Sequence, residues 1–163
     1  MQGTYQEISE YLSAAAALLE RHGVALRLPG QQADLELLED SSGRLSFELV
    51  GDLPGAADPT CSEIAVREEF HPLGSDRYER RRYEYEILDR ERDYRRAFHL
   101  HFPEWFERTF MVVVHEHCER PVGHVACPHY EGSPIRDAFA GIIALMAIWV
   151  DPTADCSELR CLG

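Results

Sequence analysis

The stretch that decides the fold reads Arg82-Tyr83-Glu84-Tyr85-Glu86-Ile87, then a polar interval at 89–93, then Tyr94-Arg95-Arg96-Ala97-Phe98-His99-Leu100. Tyr83, Tyr85 and Ile87 alternate with charged residues, as do Tyr94, Phe98 and Leu100 after the interval. A period of two belongs to strands with one buried face, so the stretch predicts an antiparallel hairpin. Matching the apolar faces sets 83 against 98, 85 against 96 and 87 against 94. The other face then pairs Glu86 with Arg95 and Arg82 with His99, and parity adds Arg80, Glu84 and His101 to it. Residues 108–117 read as a third strand. Its centre, Phe110 to Val114, is apolar on both sides and suits a central strand.

Upstream, Thr4 and Glu7 have capping-box spacing, and Tyr5, Ile8, Tyr11, Leu12, Ala15, Leu18, Leu19 and His22 recur at helical spacing up to Gly23. Short strands are expected at 24–28 and 34–38. A longer one at 45–50 forms a hairpin around Ser41-Ser42-Gly43. Downstream, Ser133 and Pro134 open a helix running to about Trp149, apolar enough to demand burial, with Gly141 and Ala144 on a close-approach side. The expected fold is α+β: an antiparallel sheet of about five to six strands, an N-terminal amphipathic helix, and a buried C-terminal helix packed on the sheet. One domain is expected over 1–163, with an acidic helix-plus-hairpin front at 1–50 and a loop at 51–62. A His/Cys-rich sheet and helix at 63–150 and a tail at 151–163 complete it.

The net charge of −13 lies mostly in the front: residues 1–76 carry 14 acids against 4 Arg, and the chain has no Lys. That balance disfavours nucleic acid and anionic membrane as partners and suits a protein partner for the acidic half. The longest uncharged run, 138–150, is too short to span a bilayer as a helix. An odd count of 5 cysteines fits free thiols in a reducing cytoplasm.

The chemistry concentrates further on. Six of the 8 histidines lie between His99 and His129, beside Cys118 and Cys127. Imidazole and thiolate suit borderline-soft divalent ions, so His115, His117, Cys118, His124, Cys127 and His129 are the expected ligands, for zinc first and iron second. Cys156 and Cys161 are further ligands, a disulfide, or plain thiols. If 102–107 is a tight turn, the pair His99 and His101 lies about 17 Å along the sheet from His115 and His117 at ~3.3 Å per residue, too far to share an ion. Three functions follow: a small metal-binding domain, an acidic interaction or inhibitor-type subunit, or a metal-independent nuclease-like enzyme using His99, His101 and the Arg-rich face.

Overall fold

The computed structural model describes residues 1–27, 35–56, 58, 61–100, 114–119, 122 and 135–151. Their elements are β1 (Gln2–Gly3), α1 (Tyr5–Arg21), β2 (Ala25–Leu26), β3 (Leu38–Glu39), β4 (Leu45–Asp52), β5 (Ser62–Gly74), β6 (Arg77–Asp89), β7 (Tyr94–Leu100), β8 (Val114–Glu119) and α2 (Ala138–Val150). The strands make one antiparallel sheet in the order β2-β4-β5-β6-β7-β8, with β1 added to β6 and β3 to β4. Both helices lie on one face of it, as the α+β expectation required.

Local chemistry explains α1. Glu7 N–H donates to Thr4 Oγ1 at 3.3 Å while Thr4 N–H donates to Glu7 Oε2 at 2.7 Å, so two otherwise orphaned donors are satisfied together. Ile8, Tyr11, Leu12, Ala15, Ala16 and Leu19 form the buried stripe, and Gly23 ends the turn at φ 81°.

The central hairpin differs from the expected pairing by two residues. Tyr83 pairs with Leu100, Tyr85 with Phe98, Ile87 with Arg96 and Asp89 with Tyr94. The turn is tighter than the polar run suggests because Asp89 closes it: its Oδ1 accepts from Glu91 N–H and Arg92 N–H, each at 3.1 Å. A shift of two keeps every side chain on its face. His99 therefore stands opposite Glu84, not Arg82, while Glu86 still reaches Arg95 diagonally.

β5 has no counterpart in the sequence reading, yet it is the strand between β4 and β6. Its core positions run Ile64, Val66, Glu68, Phe70, and the carboxylate in third place disguises the alternation. A bulge at Glu69/Phe70 sets Glu69 against Arg82 but Phe70 against Arg80. The extra residue reverses parity below it, so Arg80 turns into the core instead of joining the face of Glu84 and His99.

In α2 the expected start at Ser133 and Pro134 lies outside the described residues; the helix begins at Ala138, capped by Asp137, whose side chain accepts from Ala140 N–H at 2.9 Å. Gly141 meets the ring of Tyr85 so closely that a Cβ there would stand 2.3 Å from Tyr85 Cδ2. Burial of α2 is one-sided: Ile143 is 55% and Val150 80% exposed. No helix among the described residues is long and apolar enough to cross a membrane.

Candidate functional site

On the face of the sheet opposite the helices, alternation stacks charged and imidazole side chains across neighbouring strands. One row runs Glu48 on β4, Arg67 on β5, Glu84 on β6 and His99 on β7, each pair in register. The next row carries Glu86, Ala97 and His117, and beyond it Arg95 pairs with Glu119.

Ligand atoms of Glu84, Glu86 and His99 all lie within 4.8 Å of one another. Neighbouring donors about 2.0–2.2 Å from one ion stand roughly 3–3.6 Å apart, so the trio would have to close by up to about 2 Å to share a cation. The ring of His117 approaches that of His99 with 4.7 Å between centroids. Its Nδ1 lies 3.1 Å from Glu119 Oε1, and Arg95 Nη1 donates to the same oxygen at 2.7 Å. Arg95 Nε also donates to Glu86 Oε2 at 2.8 Å. Glu84 accepts from Arg67 Nη1 at 2.7 Å and is 3.8 Å from Arg82. Each carboxylate of the trio thus accepts from a guanidinium, Glu84 from Arg67 and Glu86 from Arg95.

The site is shielded towards β7 and β8. His99 and Glu119 are buried, and Glu84, Glu86, Arg95 and His117 are partly so. Burial, and then the Arg95 charge, holds the His117 imidazole below its usual pKa, which keeps it neutral near pH 7. Towards β4 the face opens into a groove of about 300 Å³ lined by Leu38, Ser46, Glu48, Arg67, Glu69, Arg82 and Glu84 among others. Glu84 belongs to both groove and trio.

The residues expected as ligands are distributed differently. His117 is at the site. His115 pairs with His99 across the β7–β8 ladder, so these two positions are neighbours and not about 17 Å apart along the sheet. That separation assumed a tight turn at 102–107, a segment outside the described residues. Cys118 falls on the core face, opposite to His117, and is disulfide-bonded to a partner outside the described residues. His101, His124, Cys127, His129, Cys156 and Cys161 also lie outside the described residues. Glu84 and Glu86 were not among the expected ligands. Their signal was present, two carboxylates at i and i+2 facing a histidine, but it is indistinguishable in sequence from an ordinary charged strand face.

A second charged cluster lies in the core. Glu68 Oε1 accepts from Tyr11 Oη at 2.9 Å, from Arg80 Nη1 at 2.7 Å and from Tyr85 Oη. Arg80 Nη2 donates to the carbonyls of Ile135 at 2.5 Å and Arg136 at 2.9 Å, and Ala138 N–H donates to Tyr11 Oη at 2.5 Å. Burial pushes the Glu68 carboxyl up against the opposing pull of Arg80, and pushes the Tyr11 and Tyr85 phenols up as well. These bonds join β5, β6, α1 and the entry to α2, which marks the knot as structural, and they leave Glu68 Oε2 buried with no hydrogen-bond partner among the described residues. No family model matches the chain, and no curated protein or solved structure resembles it at a significant level.

Proposed function

We propose that the chain is a small metal-binding domain whose ion sits on the sheet face between Glu84, Glu86 and His99, with zinc or ferrous iron as its cation. The observation that carries this reading is the convergence of two carboxylates and an imidazole within 4.8 Å. A site with oxygen ligands and no thiolate is harder than the His/Cys set read from the sequence, which raises the standing of iron relative to zinc. The groove at Glu84 would let a small molecule or water reach the ion from the β4 side. Metal-free nuclease chemistry is less favoured, because Arg67 and Arg95 are already committed to carboxylates and Arg80 is in the core, which leaves Arg82, 3.8 Å from Glu84, as the more available guanidinium of the expected set. A nuclease needs guanidinium groups available to phosphate.

The test is metal analysis of protein purified without a histidine tag, followed by chelation and titration with Zn²⁺ and Fe²⁺. About one equivalent per chain is expected. Glu86→Gln combined with His99→Gln should abolish uptake, and wild-type protein that takes up less than about a tenth of an equivalent refutes the proposal. A cytoplasmic location belongs to the same proposal, and thiol titration of unreduced protein tests it: 5 free thiols would support a reducing compartment, whereas fewer, as the disulfide at Cys118 implies, would count against it.

A further inference from the structure

Resting on that metal reading, we infer that the groove beside the ion is a subsite for a small oxyanion, a carboxylate or a phosphate monoester, which takes an open position on the ion and is gripped by Arg82. Glu84, Glu86 and His99 offer one ligand atom each, so a four-coordinate zinc keeps a position for an outside ligand and a six-coordinate iron keeps several. Glu84 is also a wall of the groove, together with Leu38, Ser46, Arg67 and Arg82. A volume of about 300 Å³ is at the lower end for ligand pockets and suits a small molecule.

Charge supplies the second half of the argument. Arg82 sits two residues before Glu84 on β6 and so shares its face. Its Nη2 stands 3.8 Å from Glu84 Oε2, its side chain is 43% exposed, and it makes no hydrogen bond among the described residues. The other charges of the groove already have close partners. Arg67 Nε donates to Glu48 Oε1 at 2.5 Å and its Nη1 donates to Glu84 Oε1 at 2.7 Å. Glu69 pairs with Arg82 across the ladder, yet its Oε1 lies 3.1 Å from His71 Nε2 and 3.3 Å from Arg44 Nη1. Glu84 is therefore divided, with Oε1 given to Arg67 and Oε2 near Arg82. A divalent ion that draws on Glu84 loosens its pull on Arg82 and adds positive charge beside it. Both changes favour an anion in the groove. The planar fork of a guanidinium matches two oxygens of a carboxylate or a phosphate, so Arg82 can fix such a ligand's direction as well as its charge.

The deciding experiment loads the protein with Co²⁺, whose visible absorption reports its own ligands, and titrates it with acetate, butyrate and methyl phosphate in turn. At least one of the three should change the spectrum with half-saturation below about 20 mM. The carboxylates saturating first would name a carboxylic acid as the ligand class, methyl phosphate first would name a phosphate monoester, and either order supports the inference. Arg82→Met should weaken the best anion at least about fivefold without weakening Co²⁺ itself, a split that a merely structural arginine would not give. Arg82→Lys keeps the charge but not the fork and should fall between the two. Arg21→Gln, at the exposed end of α1, should match wild type. If wild type binds Co²⁺ and none of the anions alters its spectrum at about 20 mM, the inference fails while the metal reading stands. An anion that binds Arg82→Met within less than about fivefold of wild type overturns it as well. If wild type takes up no ion, both fall.

Discussion

The two faces of the sheet use the same residue types to opposite ends. On the helix side, Glu68 and Arg80 are removed from water, and their hydrogen bonds tie β5 and β6 to α1 and the entry to α2. On the other side, Glu48, Arg67, Glu84, Arg95 and Glu119 form a ladder between neighbouring strands whose members keep varying shares of solvent. Desolvation makes the difference. A buried charge without its partner is costly, while an exposed pair gains little because water competes for both ions. Charge in the core therefore specifies where α2 docks, and charge on the open face can be surrendered to a ligand.

Breaking the core pair should have the largest effect. Arg80→Met strands the Glu68 carboxylate in the core and frees the carbonyls of Ile135 and Arg136, so a loss of about 3–5 kcal/mol is expected in urea unfolding. Adding Glu68→Met to that variant should restore much of it. A single-variant loss under about 1 kcal/mol would mean that water reaches the knot, and the contrast between the faces would collapse. Next in size is Gly141→Ala. The added methyl meets the Tyr85 ring, which is itself tied into the knot, so overpacking should cost about 1–3 kcal/mol despite the better helix propensity of alanine.

The sequence made one face much more legible than the other. Periodicity located α1 and its cap, the β6–β7 hairpin, and the helix that contains Gly141, because each depends on local spacing. β5 escaped notice because Glu68 occupies a core position and Pro72 lies near the strand's end, two residues that argue against a strand when the partners are unseen. Arg80 was assigned to the wrong face because a single bulged residue reverses parity, and bulges leave little trace in composition. The density of histidines singles out β7 and β8, yet the converging trio contains only His99 of them, which is outside the expected ligand set. Which histidines meet depends on the β7–β8 register, and local spacing within either strand does not fix it.

A smaller effect separates the faces by pH. His117 is held below its ordinary value of 6.5 by burial and by Arg95, so the folded chain takes up that proton less readily than the unfolded chain. Its contribution to stability is present above about pH 6.5 and is lost as pH falls through the lowered folded value. In metal-free protein, the stability lost between about pH 7.5 and about pH 5 should be smaller for His117→Gln than for wild type. An equal loss in both would show that His117 titrates as it does in the unfolded chain.

The smallest change in stability is expected at Arg67, and it bears most directly on what the open face is for. Arg67 bridges Glu48 at 2.5 Å and Glu84 at 2.7 Å, and its side chain is 40% exposed. Arg67→Met should cost under about 1 kcal/mol, with the difference shrinking further in high salt, because exposed pairs are screened. Metal affinity should move the other way. Removing the guanidinium frees Glu84 from a competing cation and leaves the local charge more negative, so zinc should bind at least as tightly as in wild type. A loss above about 2 kcal/mol would place Arg67 in the same class as Arg80 and make the ladder a structural device. A loss of zinc affinity without loss of stability would instead make Arg67 a support for Glu84. The two measurements on one variant thus tell a face that holds the sheet together from a face that holds an ion.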